Sequence, residues 1–90
     1  MEITSVKVRK FDREGSNVKG FASVILGDEF IVNDIRIIDG EKGLFVAMPS
    51  KKKPDGGFSD ICHPRVQEVR DKFHKAIIDE YERILENPEE

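Results

Sequence analysis

The sequence predicts an α+β fold: a small antiparallel β-sheet of four main strands plus a short hairpin arm, followed by one long C-terminal amphipathic α-helix. Three observations carry this. Apolar segments of strand length, broken by Gly- and Asp-containing turns, fill residues 2–48. A Pro54-Asp55-Gly56-Gly57 turn separates two short limbs. From Pro64 to about Leu85 the apolar residues recur every three or four positions.

The first strand, residues 2–11, places Val6 and Val8 on one face with Thr4 and Lys10. Its other face carries Ile3, Ser5, Lys7, Arg9 and Phe11, and so mixed a strand suits a sheet edge. After the loop at 12–17 comes the second strand, 18–26. Val18, Gly20, Ala22, Val24 and Leu26 point one way, and Lys19, Phe21, Ser23 and Ile25 the other. Gly27-Asp28, with Gly first, predicts a type II′ turn. In the third strand, 29–38, simple alternation puts Phe30, Val32 and Ile38 on one face, with Asp34 and Arg36 as an ion pair between them. Ile31, Asn33, Ile35 and Ile37 then share the other face. Residues 39–43 turn the chain into a fourth strand with Leu44, Val46 and Met48 on one face and Phe45 and Ala47 on the other.

Pro49 lacks an amide proton, so pairing weakens there. The limbs Ser50–Lys53 and Phe58–Ile61 then form the arm, with three lysines on the outgoing limb. Pro64 suits a first helical turn, with His63 or Asp60 as a cap. The helical stripe is Val66, Val69, Phe73, Ala76, Ile77, Tyr81, Ile84 and Leu85. Asn87-Pro88 stops the helix and leaves a frayed tail at about 87–90.

With 38% hydrophobic and 37% charged residues, the 90-residue chain reads as one globular domain, 1–90, not a disordered one. No apolar run approaches the roughly 18 residues of a membrane span, and the start Met1-Glu2-Ile3 is not a signal peptide. The single cysteine fits a reducing, cytoplasmic setting. A chain this short has a thin core, and one helix covers one face of a sheet whose strands are apolar on both. Either the sheet coils tightly over part of its second face, or a second copy covers it, sheet to sheet or edge to edge. The thin core favours the second copy, a homodimer.

No enzyme is expected. Cys62 and His63 are sequence neighbours whose side chains diverge, and no third residue orients a base. Cys62 reads as a small apolar filler behind the arm. Cys62, His63 and His74 are too few and wrongly spaced for a zinc module, His74 being a surface residue. No glycine-rich loop joins a strand to a helix. No cofactor or metal is expected.

Charge is unevenly distributed. Residues 1–75 hold 14 Lys and Arg against 12 Asp and Glu, a balance of +2, whereas residues 76–90 hold one Arg against six acids, −5. Lys51, Lys52 and Lys53 lie on the arm, and Arg65, Arg70, Lys72 and Lys75 on the adjoining first half of the helix. Cations there oppose the helix dipole, a local rule broken without visible compensation. On the residues alone a solvated basic face and a phosphate-binding surface both fit. Phe58 is the arm's only aromatic, so no single-strand stacking platform is evident. A two-fold dimer would show the basic patch twice, as two half-sites on a duplex require.

The block GLFVAMPSK at 43–51, followed by Pro54-Asp55-Gly56, Asp60-Ile61 and His63-Pro64, resembles the SpoVG family, the stage V sporulation protein G group of bacteria. The opening MEIT with VKVRK, the F-x-V-x-DIRII-x-G run at 30–40 and Glu80-Tyr81-Glu82 are similar to the same family. The resemblance implies a dimer of small antiparallel sheets, each with a C-terminal helix. It also implies a cytoplasmic regulator tied to septation and sporulation that binds DNA or RNA. The alternative is an adaptor for division or regulatory proteins, with the arm recognising an acidic partner. The chain departs from the family at Lys51-Lys52-Lys53, where members often carry Lys-Arg-Thr, and at Cys62, where they often carry Ala. Loss of the arginine removes a bidentate contact to guanine or phosphate.

Overall fold

The computed structural model describes residues 2–86. β1 (Ile3–Lys10), β2 (Val18–Leu26), β3 (Phe30–Gly40) and β4 (Gly43–Ala47) form one antiparallel sheet in the order β1-β2-β3-β4. β5 (Ser50–Lys52) and β6 (Phe58–Asp60) make a separate two-stranded arm, and α1 (Gln67–Glu86) closes the fold. β1 is an edge strand, as its mixed faces imply. The tail expected to fray at 87–90 lies outside the described residues.

One face of the sheet packs against α1. Ala22, Val24, Leu26, Val32, Ile35 and Ile37 are buried beneath Phe73, Ile77 and Tyr81. The helix contributes these at i, i+4 and i+8, the period that keeps side chains on one stripe. Burying a side chain such as Ile35 or Ile77, both 0% exposed, is worth roughly 1.5–3 kcal/mol relative to exposure. The stripe is shorter than its sequence outline: Val66 is 57% exposed and Leu85 46% exposed.

β3 departs from simple alternation. Ala22 pairs with Ile35 and Val24 with Val32, so three steps on β3 oppose two on β2. The extra residue is a β-bulge in which Asp34 takes a left-handed φ of 62°. The bulge turns Ile35 and Ile37 onto the same face as Phe30 and Val32, correcting the expected division of this strand. Ile31, Asn33, Arg36 and Ile38 face the other way. The expected Asp34–Arg36 ion pair is replaced by a hydrogen bond from Arg36 Nη2 to Ser50 Oγ, 3.0 Å. A register shift between Ile3 and Ser5 likewise brings Ile3 to the core beside Val6 and Val8.

The β2–β3 turn is type I′, not II′. Gly27 and Asp28 both have positive φ, 58° and 56°. Asp28 is held there by Thr4, whose Oγ1 accepts its amide at 3.0 Å. The helix begins at Gln67, three residues after Pro64. Its first amides, of Val69 and Arg70, both donate to the Val66 carbonyl at 3.1 Å. His63 is not positioned as a cap; its Nδ1 lies 3.0 Å from the Pro64 carbonyl.

Candidate nucleic-acid interface

The arm is shaped by local chemistry. β4 ends at Ala47, just ahead of Pro49. Ser50 then pairs with Asp60, Lys51 with Ser59 and Lys52 with Phe58. The loop Pro54-Asp55-Gly56 closes with hydrogen bonds from the Lys53 amide to the Gly57 carbonyl (2.7 Å) and from the Gly56 amide to the Lys53 carbonyl (3.0 Å). Gly56, at φ 93°, occupies the left-handed position that a three-residue hairpin loop demands. Asp55 Oδ1 accepts the Gly57 amide at 2.9 Å and braces the turn.

Two contacts fasten the arm to the body. The Ile61 amide donates to the Pro49 carbonyl at 2.7 Å. Arg36, in the middle of the sheet, donates to Ser50 at the arm's root. Lys51, Lys52 and Lys53 are all exposed. The two-residue period of a strand sends Lys51 and Lys52 to opposite sides of the ribbon. Among the described residues no carboxylate lies within ion-pair distance of any of the three.

The helical part of the patch is different. Arg65 precedes the helix, and Arg70 Nη2 lies 3.2 Å from His63 Nδ1. Lys72 Nζ is 3.7 Å from Glu68, and Lys75 Nζ is 2.9 Å from Asp79. The hydrogen bond to Asp79, reinforced by its charge, raises the Lys75 pKa above the ordinary lysine value. Such exposed i,i+4 pairs are weak, so a phosphate can displace the carboxylate at small cost. The pairs also compensate, side by side, for the cations that oppose the helix dipole. The predicted residues therefore separate into an unpaired set, Lys51, Lys52 and Lys53, and a set already engaged, Arg70, Lys72 and Lys75.

Sequence reasoning missed Arg36, which joins the sheet to the arm. Its signal was an arginine set between the isoleucines of β3. Cys62 is exposed rather than packed behind the arm. It borders an apolar groove of about 350 Å³ between the helix start and the β2–β3 turn, where Phe30 and Val66 remain more than half exposed. Among the described residues no three His, Cys, Asp or Glu side chains converge as metal ligands would.

The SpoVG family model matches residues 1–83. The chain belongs to the SpoVG family. A relative from Caldanaerobacter subterraneus subsp. tengcongensis, named as a SpoVG septation protein, is 51% identical over 87 residues, 97% of this chain and 94% of its own length. Similarly named relatives from Shouchella clausii (52% identical, covering 96% of this chain and 87% of the relative) and Clostridium perfringens (50% identical, 93% and 92%) extend the match. These names tie the family to septation, and by the family's own name to sporulation; none denotes an enzyme. Among the described residues no helix is long and apolar enough to cross a membrane.

Proposed function

We propose that this chain is a cytoplasmic, non-enzymatic regulator in septation and sporulation that binds DNA or RNA through the Lys51–Lys53 arm, with Arg65, Arg70, Lys72 and Lys75 as secondary phosphate contacts. The observation that carries the reading is the arm itself. A braced hairpin presents three exposed lysines with no carboxylate within ion-pair distance among the described residues, while the net acidic excess of the chain lies toward its C-terminal end. Such groups neutralise phosphates and release counterions, so affinity falls steeply with salt.

The regulator is a homodimer. β4 has no neighbour on its outer edge among the described strands, and Met48, which directly follows it, lines the apolar groove. An edge-to-edge contact there covers both and repeats the arm across a two-fold axis. Sedimentation of the 10.3 kDa chain as a monomer at micromolar concentration would contradict this.

The binding reading is tested by fluorescence anisotropy with labelled duplex DNA and RNA across a range of salt. The variant Lys51→Ala/Lys52→Ala/Lys53→Ala is expected to lose roughly tenfold or more in affinity. It should also flatten the salt slope by about two to three units, close to 0.9 per phosphate contact on duplex DNA. Absence of binding near physiological ionic strength, or binding indifferent to the triple substitution, would sink the reading. The second reading, an adaptor for an acidic protein in the division machinery, is favoured by the septation names of the relatives. It is the outcome to pursue if nucleic acid fails to bind.

A further inference from the structure

The sheet face turned away from α1 mixes apolar and cationic side chains, and the strand register arranges them in rows. One row across the four strands reads Arg9, Phe21, Arg36, Ala47. Beside it lies the pair Ile38 and Phe45. On its other side Lys7 pairs with Ser23, whose hydroxyl donates to Asn33 at 2.8 Å. Neighbouring strands lie about 4.8 Å apart, so two guanidinium groups flank Phe21 within side-chain reach. Phe11 meets Phe21 edge-on, with ring centroids 5.2 Å apart at 77°. Phe45 is 44% exposed. Three phenylalanines far apart in the chain thus share one open surface.

We propose that this face is a platform for single-stranded nucleic acid. Phe21 and Phe45 stack bases, Lys7, Arg9 and Arg36 hold the phosphates, and the strand continues onto the arm where Arg36 meets Ser50. The inference rests on the nucleic-acid reading of the arm and assigns it a strand class and a second surface.

Charge decides the occupant. Lys7, Arg9 and Arg36 face outward here; the carboxylates beside them are Asp34 in the bulge and Glu80, which is already engaged by Arg83. The acidic residues Glu68, Asp71 and Asp79 belong to the helix, in the opposite layer. A second copy docked sheet to sheet would be isologous and would set this cationic face against itself. A purely apolar partner would leave the arginines unpaired. A single strand supplies both phosphates and accessible base faces, whereas a duplex keeps its bases stacked out of reach of the rings.

The test compares a labelled oligo-dU of about 12 nucleotides, near the site size of one small domain, with a labelled duplex of about 20 base pairs. Both are titrated against the full chain and its Phe45→Leu and Arg9→Gln variants, with circular dichroism confirming the fold. The variants are expected to weaken single-strand binding by roughly five- to a hundredfold and duplex binding by less than about twofold. As a readout on the unaltered protein, photocrosslinking of a 5-bromouracil strand should label peptides from β2 or β4. Unchanged strand affinity with crosslinks confined to the arm would overturn the platform and leave the arm reading standing. Failure of the unaltered chain to bind either probe would overturn both. A Phe45→Leu variant that changes sedimentation but not strand affinity would show that a second copy occupies the face, and would overturn the platform.

Discussion

The two faces of the four-stranded sheet are cut from the same strands and both carry large apolar groups, more of them on the helix side. On the helix side Val24, Ile35 and Ile37 are sealed to 0% exposure under Ile77. On the other side Ile31 and Phe45 keep 51% and 44% of their surface open to water. The covered face is almost free of charge, whereas the open one is interrupted by Lys7, Arg9 and Arg36. Hydrophobicity alone therefore does not distinguish a core from a surface. What distinguishes them is whether the polar residues between the apolar ones must be desolvated. A lysine or arginine in the helix-facing layer would lose its hydration without a partner; on the open face it keeps both water and reach.

The comparison can be broken outright at the bulge. Inserting an alanine after Asp34 adds one residue more than the bulge absorbs, so that either Phe30 and Val32 or Ile35 and Ile37 must turn outward. Exposing two such side chains costs about 3–6 kcal/mol, comparable to the whole stability of a small domain. The expected result is loss of the cooperative unfolding transition in urea. A milder contrast comes from Ile35→Ala on the covered face against Ile31→Ala on the open one. The first should cost about 2–5 kcal/mol through a buried cavity and the second under about 1 kcal/mol, read from denaturation midpoints. Equal losses would show that the open face is covered in solution.

Two finer predictions use pH. Burial of Tyr81 raises its phenol pKa, helped by the charges of Asp39 and Asp12. A folded pKa above the unfolded one gives stability that is complete below about pH 10, the unfolded value, and is lost as pH rises through the folded value. Tyr81→Phe should flatten the alkaline fall in melting temperature. The smallest effect belongs to a partly exposed ion pair of the helix. The Arg83 guanidinium donates two hydrogen bonds to Glu80, 2.9 and 2.8 Å, and lowers its carboxyl pKa. That contribution is present above about pH 4.3, the unfolded value, and is lost as pH falls through the folded one. Because the Arg83 side chain is about half exposed, solvent screens the pair, and Glu80→Gln should change stability at neutral pH by under about 1 kcal/mol.

Much of the site was legible because it is local. The Pro54-Asp55-Gly56 turn is written in consecutive residues, and Pro49 marks the end of β4 through its missing amide. The lysines of the arm follow from those two features. The pairing of Lys72 with Glu68 and Lys75 with Asp79 was also present in i,i+4 spacing, and it revises the basic patch on the helix from free charge to exchangeable ion pairs. Cys62 shows the opposite case. Its small apolar side chain suited a buried filler, but the arm leaves the body there and no element packs over it.

By itself the sequence determined the order of strands, arm and helix, the stripe from Val69 to Tyr81 and the SpoVG kinship, since each depends on neighbours within a turn or on a contiguous motif. Only the tertiary structure decided which face of β3 is buried, because an aspartate at φ 62° is tolerated once the flanking strands demand it and leaves no reliable local mark. Only the tertiary structure could set Arg9, Phe21 and Arg36 in one row. That row depends on cross-strand register, and a one-residue slip in register reverses every side chain.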